Sequence, residues 1–123
     1  MSKLPDLLYE HCRNLPAVTE DVKWDNDLIF SVGKKMFAVF LLPEGDSFSF
    51  KVDEDLFHSL GQQPGIEPAP YLARHSWVRV GAPGALPLET VKDFLARSYE
   101  LVVAKLPKQL QRELDLEIKS SSG

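Results

Sequence analysis

Between Thr19 and Val52 four short segments with strand character follow one another, separated only by tight connections. They are TEDVKW (19–24), LIFSV (28–32), KKMFAVFLL (34–42) and SFSFKV (47–52), linked by DND (25–27), GK (33–34) and PEGD (43–46). A parallel pair needs a crossover of a dozen or more residues, so links this short make neighbouring strands antiparallel. The expected arrangement is a meander. Gly33 followed by Lys34 suits a two-residue type II′ hairpin, whose first position takes a positive φ. SFSFKV alternates cleanly, with Phe48, Phe50 and Val52 on one face and Ser47, Ser49 and Lys51 on the other. KKMFAVFLL is apolar on both faces, the pattern of a strand covered on both sides.

Helical patterns bracket these strands. Leu4, Leu7, Leu8, His11, Cys12 and Leu15 form one helical stripe, with Pro5 tolerated in the first turn and Pro16 beyond the end. Asp53 reads as the N-cap of EDLFHSLGQQ, with Leu56, Phe57 and Leu60 as its apolar face and Gly61 near its end. A loop over 61–76, punctuated by Pro64, Gly65, Pro68 and Pro70, leads to a fifth strand, WVRV (77–80). The turn-rich GAPGALP (81–87) then opens the longest helix, Leu88–Leu106, whose stripe is Val91, Leu95, Ser98 and Val102, flanked by Phe94, Tyr99 and Leu106. Pro107 breaks or kinks it before the short KQLQREL. The order α-β-β-β-β-α-β-α-α predicts an α+β fold: an antiparallel sheet of about five strands, packed mainly on one face against N- and C-terminal helices. Residues 1–114 are expected to form a single domain, with 115–123 a frayed tail.

At 123 residues, 44% hydrophobic and 26% charged, the chain has the size and composition of one globular domain with a real core. No apolar run approaches the ~18 residues of a membrane span, and the charged N-terminus lacks a signal peptide's apolar centre. The single cysteine, Cys12, cannot form an internal disulfide. A soluble, cytoplasmic protein is expected. Enzyme signatures are sparse: there is no Gly-rich phosphate loop, HExxH or CxxC. His75 and Ser76 are adjacent, so their side chains diverge, and nothing marks a third, orienting partner. His11, His58 and His75 fall on separate elements, so neither a metal nor another cofactor is expected.

Charge is unevenly spread. The net charge is −4, yet residues 71–112 hold seven Lys/Arg against three Asp/Glu. Lys105, Lys108 and Arg112 would share a face if the helix ran on through Pro107, and with Arg74 and Arg79 they would make a phosphate-facing patch. Lys34 and Lys35 sit at a hairpin tip. In PAPYLARHSWVRV (68–80) aromatic and cationic side chains interleave. Strand alternation puts Trp77 and Arg79 on one face and Val78 and Val80 on the other, toward the helices. Tyr71 and Trp77 then either shape a recognition surface or lock the loop to the sheet as a small second core.

The pieces VKW (22–24), GKKMFA (33–38), FKVD (50–53), PGIEPAPYL (64–72), WVRV (77–80) and SYELVVAKLPK (98–108), in this order, resemble the MmcQ/YjbR-like proteins. That resemblance implies a fold related to the bacterial frataxin CyaY and a double-wing DNA-binding motif, with two β-hairpin wings beside helices. It implies DNA as a partner, held weakly and salt-dependently by Lys34, Lys35, Arg74, Arg79, Lys105, Lys108 and Arg112. The alternative partner is a protein taken by the 64–79 loop. No membrane partner is expected, and the oligomeric state is left open. Frataxin-like folds are also associated with an acidic iron-binding ridge, but here only Asp6 and Glu10 have helical i, i+4 spacing. The segment ARHSW departs from the family's usual order, in which a basic residue and a His directly precede the Trp. Ser76 intervenes here, so no role carries over to His75.

Overall fold

A computed structural model describes residues 4–23, 26–41, 47–70, 72–81 and 86–114. The expected 115–123 tail and Tyr71 lie outside these residues. Strands β1 (Val18–Lys23), β2 (Asp27–Val32), β3 (Lys35–Leu41), β4 (Phe48–Lys51), β5 (Ile66–Pro68) and β6 (Trp77–Val80) form one antiparallel sheet in the order β1-β2-β3-β4-β6-β5. The first four are the expected meander. β5 corrects the reading of 61–76 as a loop and raises the strand number to six. Three residues, Ile-Glu-Pro, are too few to show a period, and Pro68 is tolerated because β5 is an edge strand.

Helices α1 (Leu4–Arg13) and α3 (Leu88–Lys105) cover one face of the sheet. Leu8, Tyr9 and Cys12 from α1 and Val91, Leu95, Tyr99, Val102 and Val103 from α3 meet Phe30, Phe37, Phe40, Phe48, Phe50, Val78 and Val80 in one core. Burying an aliphatic or aromatic side chain of this size stabilises by about 1.5–3 kcal/mol. Tyr9, just off the expected stripe, is drawn in because its ring lies edge-on to Phe40 at 5.0 Å. The opposite sheet face carries no helix among the described residues. Ile29 and Trp77 are nevertheless buried there, while Leu41 is 49% exposed.

The apolar look of KKMFAVFLL on both faces has in part a local cause. Pairing jumps from Phe30↔Ala38 to Ser31↔Met36, so Phe37 is the extra residue of a β-bulge. Phe37 and Ala38 both enter the helix-side core. Just before the bulge the β2–β3 turn has φ of +58° at Gly33 and +68° at Lys34. Both positive values make it type I′ rather than the expected II′, the form whose twist matches the flanking strands equally well.

Asp53 stands at the N-cap position of α2 (Glu54–Leu60) but makes no side-chain cap bond. Its carboxylate instead accepts from Arg97 Nε at 3.0 Å and Nη2 at 2.8 Å, a charge-assisted bidentate pair. On the same two-turn helix Phe57 and Leu60 face inward while Leu56 is exposed. Pro107 breaks α3, as expected. Leu106 and Pro107 are extended, with ψ of 151° and 144°, because a residue before proline is pushed out of the helical region. Helix α4 (Lys108–Glu113) starts afresh, so Lys105 does not share a continuous helix face with Lys108 and Arg112.

Candidate functional site

The bulge at Phe37 has a consequence at its end of the sheet. The β3–β4 ladder stops at Ala38↔Phe50, which leaves the Phe37 carbonyl and the Lys51 N–H without each other. Ser98 of α3, fully buried, stands between them. Its hydroxyl donates to Phe37 O at 2.7 Å and accepts from Lys51 N at 3.0 Å. Strands β3 and β4 part here, and beside the gap lies a recess of about 420 Å³. Lys35, Lys51, His75 and Lys105 line it, with Met36, Trp77, Val102 and Leu106 as apolar walls. No carboxylate is among these lining residues.

Each cation reaches the recess by a different element. Lys35 opens β3 directly after the type I′ turn. That turn is pressed onto the helix break: a Cβ on Gly33 would lie 2.7 Å from Leu106 Cδ1 and 3.3 Å from Leu110 Cδ2. Lys105 is the last residue of α3. Lys51 closes β4 opposite Trp77, and its Nζ donates to the His75 carbonyl at 2.8 Å. Burial, and after it the neighbouring charge of Lys105, holds the Lys51 ammonium below the usual lysine range; Glu54 acts in the opposite sense. His75 is carried by a single 3-10 turn, Ala73–His75, which ends in Ser76 with φ +66°. Ser76 N donates to Ala73 O at 2.9 Å, and Ser76 O accepts from Val52 N at 2.9 Å. Ser76, which separates His75 from Trp77, is therefore the residue that turns the chain into β6.

The sequence-derived candidates divide. Lys35 and Lys105 line the recess; Lys34 at the hairpin tip and Arg74 beside His75 are exposed next to recess residues in the chain. Lys108 and Arg112 are outward-facing on α4. Arg79, expected among the free cations, is ion-paired with Glu67 across the β5–β6 pair. Trp77 is only 4% exposed, so it is a wall and not a bare stacking platform. The loop before it is stitched to its backbone by Ala69 N to Trp77 O at 3.0 Å and Trp77 N to Leu72 O at 3.4 Å. Lys51 is the residue that sequence reasoning misses. The alternation of SFSFKV places it off the core, but its neighbours Lys105 and His75 lie 54 and 24 positions away.

A second concavity, of about 500 Å³, lies along the helix-free face, lined chiefly by Val39, Leu41, Ala69, Pro70 and Leu72, with Asp27 and Arg79. Elsewhere, burial pushes the Cys12 thiol up to about 12, so it is no nucleophile at neutral pH. Among the described residues no helix is long and apolar enough to cross a membrane.

A family model described as YjbR matches residues 13–101. The chain belongs to the YjbR family. The match takes in Lys35, Lys51, His75 and Trp77, while Lys105 and Leu106 fall just beyond it. A crystal structure of a Deinococcus radiodurans protein bearing the DUF419 domain superposes with a TM-score of 0.81 at 28% identity, covering 100% of this chain and 99% of that one. A Pseudomonas syringae structural-genomics protein shares the fold, with a TM-score of 0.63 at 19% identity over 82% of this chain and 98% of that one. No curated protein matches the sequence. Neither the family model nor the Deinococcus radiodurans structure indicates a catalytic family.

Proposed function

We propose that this YjbR-family domain is a cytoplasmic, non-enzymatic module that binds DNA through phosphate contacts. The observation that carries the reading is the convergence of Lys35, Lys51 and Lys105 on one recess with no carboxylate among its described lining residues. Lys34 and Arg74 extend this basic surface, and Lys108 and Arg112 follow on α4. The chain's net charge of −4 leaves most of the surface repulsive to DNA, so contact is confined to this end. Lysine and arginine contacts to phosphates give affinity without base readout. Binding should therefore weaken steeply with salt, with a log–log slope of roughly 0.9 per phosphate.

Fluorescence anisotropy of labelled duplex and single-stranded DNA, at low and near-physiological salt, tests this directly. Saturable, salt-sensitive binding that falls about tenfold in Lys51→Ala/Lys105→Ala is the expected result, with the salt slope reduced by roughly one for each lysine removed. No binding even at low salt would end the DNA reading. The apolar groove beside Ala69, Pro70 and Leu72 favours the second reading, a protein-interaction module using the 64–79 loop. A partner protein bound with little salt dependence would select it.

A further inference from the structure

We infer that the recess between β3, β4 and the end of α3 is a phosphomonoester site, taking the terminal phosphate of a mononucleotide or of a phosphorylated strand end in preference to the diesters of a duplex. The inference deepens the DNA reading and rests on the same recess. Shape is the first ground. The recess lies where two strands part beneath a helix, with Ser98 bridging them through both of its hydrogen bonds. An open concavity of this limited extent suits a terminal phosphate and the group behind it better than a long continuous backbone. Its volume of about 420 Å³ is well above that of a phosphate group and lies within the ~300–1,000 Å³ of small-molecule sites.

Charge is the second ground. A phosphomonoester carries about −1.5 to −2 at neutral pH and offers three strong acceptor oxygens, whereas a diester carries a single charge. Three lysines lining one space match the former. Lys51 gives one of its three N–H donors to the His75 carbonyl, which aims the amine and leaves two for a ligand. The apolar walls, Met36, Trp77, Val102 and Leu106, would hold the sugar or base behind the phosphate. Lys51 is also the group that gains most from a dianion. Lys105 from α3 repels its charge and Lys35 from β3 lines the same recess, with Glu54 of α2 in compensation among the described residues.

Isothermal titration calorimetry of the full chain with adenosine 5′-monophosphate, adenosine and inorganic phosphate tests the inference, followed in parallel by the NMR signal of the Trp77 indole N–H. The monophosphate should bind at least tenfold more tightly than adenosine, shift the Trp77 resonance and be displaced by inorganic phosphate. Lys51→Met, which keeps the aliphatic stem, should weaken it at least tenfold, and Lys23→Ala on the exposed edge strand should change it less than twofold. Affinity should fall as pH drops below about 6, where the dianion is protonated. It should fall again as pH rises through the depressed Lys51 value, where the ammonium is lost. A 5′-phosphorylated oligonucleotide should outcompete its 5′-hydroxyl counterpart. Equal affinities for monophosphate and adenosine, or for the two oligonucleotides, would overturn the inference, as would an unaffected Lys51→Met. Duplex binding without monophosphate preference would overturn it while leaving the DNA reading intact, and monophosphate binding without DNA binding would do the reverse.

Discussion

Arg13, Arg79 and Arg97 each face a carboxylate, whereas Lys35, Lys51 and Lys105 line a recess with no carboxylate among its described lining residues. The arginines connect elements. Arg13 meets Glu20 at 2.6 Å and ties the end of α1 to β1; Arg79 and Glu67 hold β5 to β6; Arg97 joins α3 to the start of α2 through Asp53 and reaches Glu100 at 3.2 Å. A planar guanidinium matches the two oxygens of a carboxylate, so these charges are neutralised within the molecule. Among the described residues the recess offers the lysines no such partner. A count of basic residues weighs both groups alike; only the folded chain separates cations that hold the protein together from cations left for a ligand.

The sharpest way to break this contrast is to remove what holds Lys51 in place. Ser98→Ala leaves the buried Phe37 carbonyl and Lys51 N–H without their shared partner, so it should cost about 2–4 kcal/mol, read as a lowered urea midpoint. A loss below about 1 kcal/mol would mean that the strands part without the hydroxyl's help. Gly33→Ala comes next. It forces a side chain into φ +58° and against Leu106, and should cost about 1–3 kcal/mol in thermal unfolding. It should also weaken DNA binding, because the turn sets the start of the strand that carries Lys35.

Charge changes sharpen the contrast without unfolding the protein. Lys51→Met/Lys105→Met should lower DNA affinity about tenfold, or ~1.4 kcal/mol, whereas Glu67→Gln, which frees Arg79, should change it less than about threefold. If freeing Arg79 tightens binding as much as the double lysine variant weakens it, paired and unpaired cations are equivalent. The smallest effect belongs to Arg97→Ala, an exposed pair expected to cost less than about 1 kcal/mol near neutrality. Arg97 holds the Asp53 carboxyl below its usual range. The stabilisation is therefore present above the unfolded value of about 3.9 and is lost as pH falls through the folded one. Urea denaturation curves of wild type and variant should converge in strong acid; a gap that persists there would assign the loss to packing.

Local patterns account for what could be read in the chain. The meander follows from link lengths, the phase of β4 from its alternation, and the buried Val91, Leu95, Ser98 and Val102 from helical spacing. Val78 and Val80 on the helix side follow from the two-residue period of β6. What escapes such patterns is non-local or too short. β5 has three residues, and its pairing with β6 spans a loop. Asp53 has the chemistry of a cap, but Arg97, 44 positions away, takes its carboxylate. Ser98 falls on the expected stripe, yet nothing nearby in sequence announces that it bridges two strands. The site is half legible for the same reason: its flanking lysines are visible as charges, and Lys51, their meeting point, is visible only as the polar end of a strand.

The bulge at Phe37 is one residue more than a regular β2–β3 hairpin requires. A chain lacking it could pair the hairpin without interruption, turn included, and would still need a covering helix. It would have no carbonyl turned toward Ser98 and no reason for β3 and β4 to separate. The order of the strands thus does not depend on the extra residue, and the irregularity at Phe37 is a local property of the β2–β3 hairpin.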